Sequence, residues 1–242
     1  ALRPLDLPAD RVRPRVQSFD GDVVTRTLPR AIGEALKALA RERGATPFMA
    51  YLAAFEALVG RLAGATDFAI GTPVAGRPLP ELVPLVGFFA NTVVVRADLA
   101  GEPTGVQLIE RTRVRVLEAL EHQRMPFERL VDALGVPRDP SRNPLFQVAF
   151  GMRESDGSDL ELDGVAVRRD PARHGRAKFD LTLTLLDGPD GIVAHWEYCA
   201  DLFDRPSIER MVTQVELIPE FGVENLDYLL GKMSVLPPSP AA

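Results

Sequence analysis

Residues 47–63 read as a helix that is apolar nearly all the way round, and such a helix fixes much of what this chain can become. Phe48, Met49, Tyr51, Leu52, Phe55, Leu58, Val59 and Leu62 leave no face for water. The helix must therefore be central, surrounded by other elements. Its ends are marked as clearly as its middle. Thr46 suits an N-cap, Pro47 the first helical position and Gly64 the terminator. With 242 residues, 46% of them apolar and 26% charged, the chain is long enough to build those surroundings as an ordinary globular protein.

The periodicities on either side say what the surroundings are. Gly21–Leu28 alternates as a strand, with Val23, Thr25 and Thr27 on one face and Val24, Arg26 and Leu28 on the other. A helix is expected from Pro29 to about Arg43, ahead of Gly44. Short strands follow at 67–72 and 92–99, then a long amphipathic helix at 102–123 and a short one at 126–134. Further strands are expected at 145–152, 160–169, 179–186 and 192–199, and a closing helix at 204–216. Asp187-Gly188-Pro189-Asp190-Gly191 joins the last two strands as a hairpin. The sum is an α/β architecture, a mixed β-sheet flanked by helices, occupying 21–233. Pro4, Pro8 and Pro14 make 1–20 an extended linker that should lie on another surface, and 234–242 has linker composition.

Several function classes fall away. A net charge of −6 argues against a nucleic-acid binder that works by neutralising phosphates. Cys199 is the sole cysteine, so it reads as a buried structural thiol, with neither a disulfide nor a thiolate zinc site available. His174 and His195 have no ligand-spaced partners, and no metal is expected. No stretch has the length of a membrane span and the start lacks a signal peptide, so no membrane is expected and the default location is cytoplasmic. Phosphate loops, dinucleotide fingerprints and nucleophile elbows are missing.

Three phrases carry the remaining information. Gly71-Thr72-Pro73-Val74-Ala75-Gly76-Arg77-Pro78 leads into Val86-Gly87-Phe88-Phe89-Ala90-Asn91-Thr92, a long loop between two strands. A loop of that length is often functional. It reads as a crossover arm reaching out of the sheet. Asn91 and Thr92 offer an amide and a hydroxyl that could orient a thioester or amine, or that cap backbone groups at a strand start. His122-Gln123-Arg124-Met125-Pro126-Phe127-Glu128 places a histidine at a helix end and a proline at the next helix start. Structural capping is the simpler role, since no orienting carboxylate accompanies His122. Arg138-Asp139-Pro140-Ser141-Arg142-Asn143-Pro144-Leu145 reads as a loop locked by its own charges and prolines, with Arg142 able to grip a carboxylate or carbonyls. Asp180 could pair with Lys178, two residues away on the same strand face. The basic segment 168–176 is either a solvated loop or a contact for phosphopantetheine or a carrier protein.

In this order the three phrases, with Phe179-Asp180-Leu181, resemble the second half of a condensation domain of a nonribosomal peptide synthetase. Gly87, Phe89, Asn91, Thr92 and Arg96 fit that family's spacing. The resemblance implies a chloramphenicol-acetyltransferase-like lobe. Thr72, Val74, Ala75, Gly76, Arg77, Gly87, Phe89, Asn91 and Thr92 would then line the substrate tunnel and lobe junction. Ala75 stands where many relatives carry serine, which removes a hydroxyl there. Arg96, His122, Pro126, Phe127, Glu128, Arg138, Asp139, Arg142, Asn143 and Asp180 would be scaffold. The family's catalytic His-His-x-x-x-Asp-Gly string belongs to the first half, and no two histidines here are adjacent. Amide-bond formation between carrier-bound thioesters is thus implied for the whole domain and not for this chain alone. The implied partners are an N-terminal lobe, carrier proteins that deliver phosphopantetheine, and an adjacent adenylation domain; the lobe itself binds no cofactor. An epimerisation-domain lobe, a non-catalytic module that recruits an oxidase and a free-standing acyltransferase fragment remain as alternatives.

Overall fold

The computed structural model describes residues 3–77, 79–154, 165, 175–188 and 191–216. Among them a six-stranded mixed sheet is formed by β1 (Gly21–Leu28), β2 (Asp67–Val74), β3 (Asn91–Asp98), β4 (Val148–Glu154), β5 (Leu181–Gly188) and β6 (Gly191–Cys199). Their spatial order is β1-β6-β5-β4-β2-β3. β2, β4 and β5 run parallel, whereas β3, β6 and β1 pair antiparallel with their neighbours. The helices are α1 (Arg30–Glu42), α2 (Pro47–Ala63), α3 (Gly105–Glu121), α4 (Phe127–Ala133) and α5 (Arg205–Glu216).

α2 is the central helix that its composition demands. Its Phe55 ring lies 5.7 Å from Phe150 of β4 and 6.1 Å from Trp196 of β6, centroid to centroid. Thr46 Oγ1 accepts from the Met49 amide at 3.3 Å, and Gly64 ends the helix in the left-handed region. The sheet supplies the facing layer by alternation: Leu181, Leu183 and Leu185 of β5 and Ile192, Ala194, Trp196 and Tyr198 of β6 are all buried. β2 and β4 are buried on both faces over most of their length, and an aromatic cluster covers the side away from α2. There Phe146 lies against Gly71, where an added Cβ would come within 2.1 Å of the ring. Phe127 and Phe179 flank Phe146 at 5.4 and 5.1 Å.

The boundaries differ from expectation where distant contacts decide them. The long helix begins at Gly105 because Thr104 caps it, exchanging hydrogen bonds with Gln107. The β4 ladder begins at Val148, after Gln147 has turned its amide to the Leu5 N–H (2.7 Å) and the Asn143 carbonyl (2.9 Å). β5 begins at Leu181, because Phe179 packs in the aromatic cluster and Asp180 faces a distant arginine. β2 runs on to Val74, paired with Asn91. The expected strand at 160–169, apart from Val165, the basic residues 168–174, the hairpin positions 189–190 and the tail 234–242 lie outside the described residues.

Residues 3–19 are extended and without a regular element. They lie along this chain's own sheet, with Leu5 and Leu7 buried in its main core. Asp10 accepts from Ser207 Oγ (2.6 Å) and from the Asp204 amide (2.8 Å) ahead of α5.

Candidate functional site

Because β2, β4 and β5 are parallel, their carboxyl ends share one edge of the sheet, the edge where crevices form in open α/β folds. The crossover arm, residues 75–90, leaves from the end of β2 and returns as β3. Gly76 makes the first bend with φ +65°, and an added Cβ would sit 1.7 Å from the Phe89 carbonyl oxygen. Arg77 then closes the arm on itself. Its guanidinium donates to the carbonyls of Leu82 and Gly87 (the latter at 3.3 Å) and lies 4.2 Å above the Phe89 ring centroid. Gly87 is exposed in the returning half. The arm shows apolar side chains outward: Phe88 is 94% exposed, and Val83 and Val86 are exposed as well. Exposed apolar side chains grouped on one loop suit an interaction surface.

Asn91 holds the other side of the site. Its Nδ2 donates to the carbonyls of Gln123 (2.8 Å) and Met125 (2.7 Å), and its Oδ1 accepts from the Phe127 amide (3.3 Å). The amide group is therefore fully engaged by backbone, in the connection between α3 and α4. His122 is the C-cap residue of α3 at the start of that connection, and Pro126, Phe127 and Glu128 end it. Between the connection and the arm lies a cleft of about 570 Å³. Leu79, Phe88, Phe89 and Phe127 form its walls, while Thr92, Gln123, Arg124 and Glu128 bring polar groups to it. Val74 is half-buried and Ala75 exposed at the arm's root. Thr72 is buried, its hydroxyl unpartnered among the described residues.

The remaining motif residues lie elsewhere. Arg96 of β3 forms a fork with Asp67 of β2, both contacts 2.6 Å, on the exposed edge of the sheet. Those hydrogen bonds hold the Asp67 carboxyl below its ordinary range. Arg138, Asp139, Arg142 and Asn143 belong to the opposite end, in the loop before β4. Arg138 reaches Asp132 at 3.7 Å, and Asp139 accepts from the Ser141 amide at 2.8 Å. Arg142 bridges Asp139 (3.4 Å) and Asp6 (3.0 Å), and Asn143 donates to the Lys178 carbonyl. A second cleft, about 470 Å³, separates this loop from α4.

Asp180 does not pair with Lys178. Its carboxylate takes a fork from Arg13, one contact measuring 2.9 Å, because Asp180 is buried just before β5 while Lys178 is exposed. His195 Nδ1 stands 3.1 Å from Thr25 Oγ1 on the far face of the sheet, and burial pushes its pKa down. Burial pushes the Cys199 thiol up, which suits a structural cysteine. Sequence reading passed over Glu56, whose carboxyl is buried in α2 and accepts from Thr112 Oγ1 at 2.6 Å. A lone carboxylate in a helix apolar all round was the available signal.

A mixed sheet layered with helices, with an arm thrown from the carboxyl end of a central parallel strand, defines a chloramphenicol-acetyltransferase-like lobe. The condensation-domain model matches residues 1–240, and the chain belongs to the condensation-domain family of nonribosomal peptide synthetases. It is 46% identical over 211 residues to malpinin synthetase of Mortierella alpina, covering 87% of this chain and 3% of that protein. To a linear gramicidin synthase of Brevibacillus parabrevis it is 47% identical over 214 residues, covering 86% and 3%. Among solved structures, a chain of the complex of the X-domain and OxyB from teicoplanin biosynthesis superposes with a TM-score of 0.86 at 28% identity, covering 99% of this chain and 53% of that one. Holo-AB3403, a four-domain nonribosomal peptide synthetase bound to AMP and glycine, superposes at 0.81 and 26% identity, covering 93% and 18%. The chain thus spans a small part of the synthetases and about half of the X-domain complex chain.

Proposed function

We propose that this chain is the C-terminal lobe of a condensation domain and contributes one wall of the site where an amide bond is made. The carrying observation is the self-closed arm with its outward apolar tip, at the sheet edge where a crevice is expected. The chain's span of about half a solved neighbour supports an N-terminal lobe as the surface that the arm meets. In the reaction, the amine of one carrier-bound aminoacyl group attacks the thioester carbonyl of another. The tetrahedral intermediate then collapses to the amide, and the phosphopantetheine thiol leaves with a proton. Carrier proteins bring both thioesters as substrates, and an adenylation domain is the expected neighbour. Among the described residues no histidine is placed to serve the reaction: His122 ends a helix and His195 lies on the far sheet face. This lobe shapes the crevice and excludes water, while the adjacent histidines come from the other lobe.

The test supplies two loaded carrier proteins to this chain alone, and then to the same chain joined to a first lobe with an intact His-His-x-x-x-Asp-Gly string. Dipeptide is expected only from the joined form. Dipeptide from the chain alone overturns the proposal. The likeness to the X-domain complex favours one second reading, a non-catalytic module that recruits a partner enzyme. Binding of an OxyB-like oxygenase without binding of any carrier protein would select it.

A further inference from the structure

Glu56 is the one carboxylate of α2 and is 1% exposed. It sits where α2 packs on α3. One oxygen accepts from Thr112 Oγ1 at 2.6 Å, and the other has no hydrogen-bond partner. Among the described residues, the groups that face it offer no cation. α3 brings Leu108, Ile109, Thr112 and Val116 to the contact, all buried. The nearby arginines of α3 are turned elsewhere: Arg111 to Asp98 (3.7 Å) and the Ala100 carbonyl (2.7 Å), Arg113 to the Gly44 carbonyl (2.9 Å), Arg115 to Glu118 (3.0 Å). β3 contributes Asp98, whose negative charge opposes ionisation. α1 presents Leu39 and Ala40, and its Lys37 is held by Asp187 at 2.8 Å. A buried carboxylate with no cation and one bare oxygen is very costly, whereas the neutral acid is tolerable.

We propose that Glu56 is a proton-operated lock on the α2–α3 contact. Protonated, it holds α3 in place together with the connection that Asn91 fastens, which forms one wall of the cleft under the arm. When its proton goes to solvent, the carboxylate draws water into the contact and frees that wall. This is a regulatory property of the fold, and it holds whether or not the lobe serves amide-bond formation.

The sign follows from linkage. Burial raises the Glu56 pKa from an ordinary 4.5 to about 8 in the packed state. In a loosened state the group is solvated and returns to its ordinary value. The packed state therefore holds a proton that the loosened state releases, and packing weakens as pH rises through that window. The loosening equilibrium should climb by up to tenfold per pH unit, levelling off above about 8.

The experiment compares the full chain with Glu56→Gln by amide hydrogen exchange from about pH 5 to about pH 9, each pH matched between the two proteins. The ratio of wild-type to variant exchange in residues 105–127 should rise steeply with pH and then flatten, while β5 and β6 show no such rise. A ratio independent of pH overturns the proposal. So does a carboxyl carbon of Glu56 that titrates near its ordinary value in the wild-type protein. That NMR titration decides alone if Glu56→Gln does not fold.

Discussion

The two edges of the sheet are built on opposite principles. At the amino edge of the parallel strands, residues far apart in sequence lock together: Arg13 with Asp180, Leu5 with Gln147, Arg142 with Asp6. At the carboxyl edge, the arm is fixed by short-range contacts, Gly76 against Phe89 and Arg77 with Leu82, Gly87 and Phe89. The first edge holds the fold and buries the Arg13–Asp180 pair within it. The second holds its own shape and points its apolar side chains outward. Stability and availability to a partner are thus assigned to different ends of one sheet. Mutations at the two ends should separate accordingly.

The largest effect is expected from Arg13→Ala. The partners are only 17% and 5% exposed at their side chains, so removal of the arginine leaves Asp180 buried without its cation. Breaking such a pair costs about 3 kcal/mol in unfolding free energy, read as a lower urea midpoint. Replacing both residues, Arg13→Met with Asp180→Leu, should recover most of the loss, because no buried charge then remains. A cost below about 1 kcal/mol for Arg13→Ala would show that this edge is not held as described.

The same contrast explains what could be read from the residues alone. α2 was legible to its boundaries because its signals are local: Thr46-Pro47, the unbroken apolar run and Gly64. The arm was legible from its glycines and prolines, and the order of motifs placed the chain in its family. The amino edge was legible only in its local part, where Arg142 grips the carboxylate of Asp139 in its own loop; its long-range pairs were not. The partner of Asp180 lies 167 residues away, and nothing near Lys178 announces that Asp180 turns inward. For the same reason β5 starts two residues later than its alternation suggests. Phe179 keeps the period of a strand but is claimed by Phe146. Asn91 was legible as a backbone partner but not as to which backbone, since the groups it serves become neighbours only when α3 has folded back.

Asn91 joins the two principles, since a residue at the carboxyl edge there makes three hydrogen bonds to a distant connection. Asn91→Ala should cost about 1–2 kcal/mol, less than the loss of Arg13. The effect should concentrate in the connection, as faster amide exchange at residues 123–127. Asn91→Asp is no milder, because it keeps the acceptor for Phe127 but sets a charge against the carbonyls of Gln123 and Met125. An even rise in exchange across the sheet would assign Asn91 to the general core.

The smallest effect on the fold is expected from Arg77→Ala. Its partners are all in the arm, and the arm packs outward, so unfolding free energy should change by no more than about 0.5 kcal/mol. Local order is the sensitive measure. Without the guanidinium, the carbonyls of Leu82 and Gly87 lose their shared donor and Phe89 loses its cation. Limited proteolysis should then cut within residues 79–89 much faster than in the parent chain. Arg77→Lys should resemble Arg77→Ala, since an ammonium has neither the fork to span two carbonyls nor the flat face to lie on Phe89. Unchanged cleavage would mean that Gly76 and the prolines suffice to shape the arm. A stability loss as large as that of Arg13→Ala would mean that the arm is part of the core, and the division between the two edges would fail.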